Sequence, residues 1–290
     1  MPLARVDHLL DHATRHEYAV GAFVCMNLEM ITAVVRAAEA ERSAAVVRVH
    51  PEVRTVHRLE TLAAAVRHLA GASEMPIGLS LDHGEGLDDI ADAIAAGFTG
   101  VMIDAAESPL ADNIRIVRQV VELAAPLGVT VEAALGHMPH GASQTEADLA
   151  NVDDAVRLVR EGGANILAPA VGNVHGTAHG EVKARPNLDI GRISALHEAT
   201  GVPMCLHGGS SIPPEQMTAA IGAGVRMVII YTDVVTAFDR ELRRVLGTTD
   251  EGVNIVLALE PATDAATEVI RRKLRELGSA GHVRGWRASG

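Results

Sequence analysis

Three histidines follow three different strand-like segments, each in a glycine-rich setting. They are His83 in Ser-Leu-Asp-His-Gly, His175 in Gly-Asn-Val-His-Gly and His207 in Leu-His-Gly-Gly-Ser. Three imidazoles brought to one place can hold a divalent transition metal and leave a coordination position open. Asp82 immediately precedes the first of them. A carboxylate beside such an ion is placed to accept a proton. A single histidine at a strand end is usually packed or solvated. Three at matching strand ends are the informative observation.

The elements that must position them recur through the whole chain. Short β-branched runs predict strands over 18–24, 44–49, 76–81, 99–103, 129–133, 164–169, 203–207 and 225–230. Segments of helical spacing lie between them. Leu28 to Glu41 carries Met30, Val34, Ala37 and Ala38 on one face; Pro109 to Leu127 carries Ile114, Val117, Val120, Val121 and Ala124. Pro109 suits a first helical turn and Gly128 a helix stop. Eight strands, each followed by a helix, predict an α/β chain folded as a closed (β/α)8 TIM barrel. An open doubly wound sheet is the competitor, but no Gly-x-Gly-x-x-Gly turn follows the first strand. Extra helices are expected over 3–15 and from Thr263 to Leu277. No linker divides residues 1–290, so a single domain is expected.

Parallel barrel strands all end on one side, so residues far apart in sequence converge there. Asp82, His83, Asp104, Glu132, His175, His207, Thr232 and Asp233 all fall at or after predicted strand ends. Neighbours on a strand point to opposite faces. Asp82 and His83 can therefore share a site only if the chain leaves regular β geometry there, and Gly84 would permit the turn. Asp104 has a second reading as a cap for the helix after Ser108-Pro109, and Glu132 as a buried structural carboxylate. His137 and His140 sit in a loop, Gly136 to Gln144, near the expected mouth, and His50 follows strand two on the same rim. The turn His207-Gly-Gly-Ser-Ser, the helix start at Thr232-Asp233, and Gly176 with Lys183 downstream offer backbone N–H groups and charge for one anion. The plainer reading of each glycine is a tight turn.

Composition excludes several classes. Apolar residues make up 48% of the chain, which excludes disorder, and aromatics only 2%, which argues against stacking surfaces for single-stranded nucleic acid. The formal charge of -12 opposes nucleic-acid backbone binding, so any phosphate needs a local pocket against the global field. The two cysteines, Cys25 and Cys205, lie in apolar runs and suit a reducing compartment. With no apolar h-region at the start and no membrane-length run, a cytoplasmic protein without membrane partners is expected.

Taken together, these residues resemble the class II, metal-dependent fructose- and tagatose-bisphosphate aldolases. The resemblance runs from Tyr18 to about residue 245. Its specific segments are Leu81-Asp-His-Gly, Ala96-Gly-Phe-Thr-Gly-Val-Met-Ile-Asp104, Leu127-Gly-Val-Thr-Val-Glu-Ala, Val171-Gly-Asn-Val-His-Gly176 and Leu206-His-Gly-Gly-Ser210. It implies a zinc ion on His83, His175 and His207, although imidazoles also accept other divalent transition metals. It implies Asp82 as the acid/base at the carbon α to a ketone, with the metal polarising the ketose and stabilising an enediolate. It also implies that Gly176, Lys183, Gly208, Ser210, Thr232 and Asp233 surround the phosphate of a ketose-phosphate, that an aldehyde is the second substrate, and that the protein is a homodimer or homotetramer. Asp104, Glu132 and Asn27 are candidates for supporting positions around the site.

The departures concentrate around the substrate. The family's Ala-Phe-Asn-Val-Asn-Asn is Ala22-Phe-Val-Cys-Met-Asn27, and its Asn-Val-Asn-Thr-Asp is Ile229-Ile-Tyr-Thr-Asp233. Its Val-Glu-Ala-Glu-Leu-Gly is Val131-Glu-Ala-Ala-Leu-Gly136, so Ala134 removes a carboxylate used near a second metal position. The loop that usually carries a catalytic acid, Gly-Gly-x-Glu-Asp, is Met138-Pro-His-Gly-Ala-Ser143. His140 and Glu146 are candidate replacements for it. The arginine that takes a second phosphate has no counterpart, with Thr267 near its place. Such polar-to-apolar changes at substrate-contacting positions alter specificity, and Val24, Met26 and Ile229 are expected to line a more apolar pocket.

The reading that follows is a metal-dependent carbon–carbon lyase whose substrate has diverged from fructose 1,6-bisphosphate. The alternatives are an enolising isomerase or epimerase on the same metal site, and a binding protein that has kept the fold but lost turnover. Asp82 argues against the last, because binding alone has no use for a carboxylate beside the metal.

Overall fold

The β-branched runs form eight strands in the computed structural model, which describes residues 3–138, 143–175, 185–247, 254–283 and 286. They are β1 (Val20–Val24), β2 (Ala45–Val49), β3 (Ile77–Gly84), β4 (Gly100–Ile103), β5 (Thr130–Leu135), β6 (Ile166–Pro169), β7 (Met204–Leu206) and β8 (Val225–Ile230). Each pairs in parallel with the next, and β8 returns to β1 with Val20 opposite Met227, closing the barrel in sequence order. This is the expected TIM barrel, and the expected strands fall within a few residues of the observed ones.

The helices between strands follow from the periodicity. They are α2 (Leu28–Glu41), α3 (Leu59–Ala72), α4 (Leu87–Ala95), α5 (Leu110–Ala124), α6 (Val152–Arg157), α7 (Ile190–Thr200), α8 (Pro214–Gly222) and α9 (Thr232–Leu246). Pro109 stands just before α5, and the chain turns out of the following short helical segment through Gly128 at φ 66°. The extra helices are α1 (Val6–Arg15) and α10 (Ile255–Glu276). Helix α10 begins earlier than the sequence pattern predicts. Pro261 inside it reads as a break, yet the helix starts at Asn254, whose side chain accepts from the Val256 N–H at 3.1 Å. Helix α10 packs on α2 and α9 and is tied to α2 by Arg271 and Arg275, which both donate to Glu41.

Alternation along the strands sorts the core into two shells. Odd-numbered residues of β2, such as Val47 and Val49, pack outward against helices with Ile31, Val34 and Leu62. Even-numbered ones face the barrel interior, where Val46 meets Ala22, Met102, Ala134, Ala168, Cys205 and Met227. Val24 and Ile229 are buried in this inner cluster and Met26 packs against it. Helix α1 closes the N-terminal end: Ala4 donates to the carbonyl of Ile77 at the start of β3, and Val6, Leu9 and Leu10 complete the inner cluster. No described helix is long and apolar enough to cross a membrane.

Asn27 caps α2, its side-chain oxygen accepting from the Met30 N–H at 2.9 Å. We expect Asn27→Ala to lower the unfolding free energy by about 1 kcal/mol, measured by urea denaturation, with metal content unchanged. Loss of metal in that variant would instead place Asn27 in the site.

Candidate active site

The site begins with a break in β3. The β3–β4 register slips between Leu81 and Gly84, and His83 takes a left-handed backbone at φ 45°. The turn expected at Gly84 is thus made by His83 itself. Such a conformation disfavours most side chains and gathers at functional sites. Its effect is that Asp82 keeps its inward position while His83 also reaches the barrel mouth.

His83, His175 and His207 converge there. Their ring centroids lie 4.8 Å (His83–His207), 5.2 Å (His83–His175) and 5.5 Å (His175–His207) apart. One nitrogen from each falls within 4.8 Å of the others. The far side of two rings is held by carboxylates. His83 Nδ1 lies 2.6 Å from Asp104 Oδ2, and His207 Nε2 lies 2.9 Å from Glu132 Oε1. That leaves His83 Nε2 and His207 Nδ1 for an ion. An imidazole whose other nitrogen is fixed by a carboxylate is the usual surrounding of a metal-ligating histidine. The donor set fits a divalent transition metal of the zinc type.

Beneath the histidines lies a charge that the sequence reading passed over. Arg48, on β2, points into the barrel with no exposed surface. Its Nε and Nη2 donate to Asp82 Oδ1 at 3.1 and 2.7 Å, and its Nη1 donates to Glu132 Oε2 at 2.6 Å. Met102 Sδ lies 3.3 Å from Nη2. Glu132 therefore links Arg48 to His207. A signal was present: a lone arginine within the apolar run Ala44-Ala-Val-Val-Arg-Val49 must be paired if it is buried.

This pairing sets the electrostatics. Burial alone would raise the Asp82 carboxyl, but Arg48 and then His83 and His207 hold it well below the usual range. Burial acts the same way on Glu132, and Arg48 and His207 outweigh it, bringing it to about 2. Burial lowers His83, but Asp82 and Asp104 more than offset this and raise it. Glu132, Cys205 and His207 also lie close enough to hold an ion. There, however, the guanidinium already neutralises Glu132, and burial with the adjacent Glu132 drives the Cys205 thiol well above its ordinary value. The outer trio of histidines is the better cation site.

Two cavities open from this rim. The first, about 720 Å³, is lined by His50, His83, Glu85, Asp104, Glu107, Ser108, His137, Met138 and His175. The second, about 480 Å³, is lined by Ser210, Ser211, Thr232, Asp233, Thr236, Arg240 and Arg272. Gly208 stands beside it at φ 73°, where a side chain would collide with the carbonyl of Val174. Ser210 Oγ accepts from the Asp233 N–H at 3.1 Å, and the Asp233 carboxylate pairs with Lys273 at 3.0 Å. Asp233 is thus committed to an ion pair, while the two arginines supply the local positive charge that the acidic chain required. Gly176, Lys183 and His140 lie outside the described residues. Glu146 is paired with Arg192, and Asn27 serves as a helix cap.

Comparison with known proteins agrees with this geometry. The family described as fructose-bisphosphate aldolase class-II matches residues 4–282. The chain belongs to the class II aldolase family. It is 35% identical over 287 residues to the fructose-bisphosphate aldolase of Geobacillus stearothermophilus, covering 97% of this chain and 99% of that one. It is also 35% identical to the 6-phospho-5-dehydro-2-deoxy-D-gluconate aldolase of Halalkalibacterium halodurans, over 98% and 99% of the two chains. The crystal structure of the YdjI aldolase from Escherichia coli K12 superimposes with a TM-score of 0.86 at 26% identity, covering 97% of this chain and all (100%) of that one. This is an enzyme of the aldolase lyase type. Equal similarity to relatives named for different substrates means that family membership alone does not choose the substrate.

Three outcomes are expected. His83→Ala, His175→Ala and His207→Ala should each reduce bound metal, measured by elemental analysis; full occupancy in all three would remove the site. Arg48→Met should destabilise the fold by about 3–5 kcal/mol, since it leaves two buried carboxylates unpaired, measured by denaturant unfolding. Glu132 is depressed in the folded state, so the stability from its pairing is full above roughly pH 4. It is lost as the pH falls through about 2, which acid titration of unfolding will follow.

Proposed function

We propose that the protein is a zinc-dependent aldolase that joins or cleaves a ketose carrying one phosphate and an aldehyde. The observation that carries this reading is the convergence of three imidazoles, two of them anchored by carboxylates, with Asp82 beside them. A zinc ion on His83, His175 and His207 would supply Lewis acidity to the ketose carbonyl and stabilise negative charge on its oxygen. Asp104 and Glu132 orient two of the imidazoles. Asp82 takes the proton from the carbon α to the carbonyl and returns it in the reverse direction. The resulting carbon nucleophile attacks the aldehyde, forming the new carbon–carbon bond.

The phosphate is assigned to the second cavity. Ser210 and Thr232, at the start of α9, line it, and the helix N-terminus is a setting suited to an anion. Arg240 and Arg272 add two positive charges at its wall. Gly208, Gly176 and Lys183 are assigned here on the resemblance alone. Asp233 acts indirectly, through Lys273. Relatives named for phosphorylated substrates support this assignment.

The aldehyde is assigned to the first cavity. Among its described lining residues there is no lysine or arginine, while Glu85, Asp104 and Glu107 are acidic. A second phosphate would face these carboxylates without a partner. His50, Glu107 and His137 are the groups placed to protonate the aldehyde oxygen in the role of the absent loop acid. His137 Nδ1 and Glu107 Oε1 are 3.9 Å apart. A homodimer or homotetramer is the assembly we assign by family likeness.

The test is an assay of purified, metal-loaded protein with dihydroxyacetone or its phosphate and a panel of aldehydes, read as new carbon–carbon bonds. Turnover should vanish on chelation and return with zinc. Exchange of the α-hydrogen in deuterium oxide without bond formation would point to the isomerase or epimerase instead. Asp82→Asn should retain fold and metal and slow that exchange by at least roughly a hundredfold; unchanged exchange would place the base elsewhere. Fructose 1,6-bisphosphate should be cleaved weakly compared with a ketose monophosphate, by about a hundredfold in kcat/KM. Efficient cleavage of the bisphosphate would show that the acidic cavity tolerates a second phosphate.

A further inference from the structure

Among the described residues, Arg48 is the one buried arginine whose guanidinium joins two of the carboxylates around the candidate metal site. Its geometry is uneven in an informative way. Both Nε and Nη2 bond the same oxygen of Asp82, Oδ1, at 3.1 and 2.7 Å. Oδ2 takes no hydrogen bond from the guanidinium. The remaining arm, Nη1, bonds Glu132 Oε2 at 2.6 Å, while Glu132 Oε1 meets His207 Nε2 at 2.9 Å. Asp82, Arg48, Glu132 and His207 thus form one connected unit spanning β3, β2, β5 and β7.

Stability does not require such a unit. A buried ion pair or triad is often matched or surpassed by apolar residues of similar volume, because desolvating the charges offsets their attraction. What the planar, rigid fork of an arginine does supply is fixed geometry. A free aspartate carboxylate rotates broadly about χ2. Two donors on Oδ1 hold its plane in one orientation. The same side chain, through Glu132, fixes the ring that presents His207 Nδ1 to an ion.

We propose that Arg48 is a positioning residue that holds the Asp82 carboxylate in one orientation as proton acceptor and fixes its place relative to the metal-facing nitrogen of His207. The inference rests on the aldolase reading for its catalytic consequence. Dihydroxyacetone phosphate loses a proton from the carbon bearing its free hydroxyl only when an acceptor oxygen lies in line with the C–H bond that stands perpendicular to the carbonyl plane. The proton passes from that carbon to the carboxylate, the electron pair of the broken C–H bond becomes the new C=C bond, and the carbonyl oxygen takes the negative charge. With the carboxylate free to turn, that alignment is held for less of the time and the transfer slows. Arg48 is on this account a determinant of the rate of proton removal.

The experiment compares wild type with Arg48→Lys and Arg48→Met. Arg48→Lys keeps the charge but not the fork, so it preserves the fold better than the apolar variant. Proton exchange on dihydroxyacetone phosphate in deuterium oxide is followed by NMR. Wild type should exchange an α-hydrogen. Arg48→Lys should exchange it at least about tenfold more slowly at saturating substrate, with KM little changed, because displacements near 1 Å in a reacting geometry have effects on rate of that size or larger. A second readout needs no turnover: the visible spectrum of the Co2+-loaded protein should shift in Arg48→Lys, since Glu132 no longer holds His207 as before. If Arg48→Met does not fold, the lysine variant decides. If wild type itself exchanges no α-hydrogen, the aldolase reading fails, and the Co2+ spectrum alone then decides the role of Arg48 in placing His207. A lysine variant with the wild-type exchange rate and an unshifted Co2+ spectrum, altered only in thermal stability, would overturn the proposal.

Discussion

A positive charge without access to water sits at the centre of this barrel, and the arrangement of the rim follows from the need to pair it. Arg48 cannot shed its proton and has no exposed surface. It must therefore meet anions, and the neighbouring strands supply two. Asp82 and Glu132 in turn cannot be buried with like charge alone. Each is held in place by the group that neutralises it, and Glu132 extends the order to His207. The apolar residues of the same shell, Val46, Met102, Ala134 and Cys205, exclude water from this unit and so strengthen its internal attraction.

The barrel around that unit was legible in the sequence for plain reasons. Parallel strands buried on both faces read as continuous β-branched runs, and glycine or proline punctuates most of the connections. The histidines were legible because each follows such a run in a glycine-rich setting. Arg48 was not, because a period-based reading treats one charge within an apolar run as noise, although interior barrel positions are where such a residue matters most. The left-handed backbone at His83 was placed one residue late, at Gly84. Glycine is the default for that conformation, and only the register slip against β4 shows that the histidine bears it. The start of α10 was missed because Pro261 reads as a stop. Asn27 was grouped with the site, yet its side chain caps a helix.

The two cavities give the rim a polarity that composition alone does not reveal. The chain is acidic overall, at -12. The cavity carrying Glu85, Asp104 and Glu107 follows that balance, whereas the one carrying Arg240 and Arg272 opposes it. A charged ligand entering from solvent meets opposite signs at the two cavities. Such a field orients a molecule charged at one end before any close contact forms.

The closure of β8 onto β1 has a consequence for biosynthesis. The histidines come from the third, sixth and seventh βα units, and the barrel is sealed only when Val20 meets Met227. Contacts so distant in sequence form late, because the intervening chain must first be ordered. A nascent chain emerging from the ribosome lacks the third imidazole until most of its length has been made. An ion held by this trio would be captured only in the last stages of assembly, and half-made chains would offer no tight site in which a wrong metal could lodge.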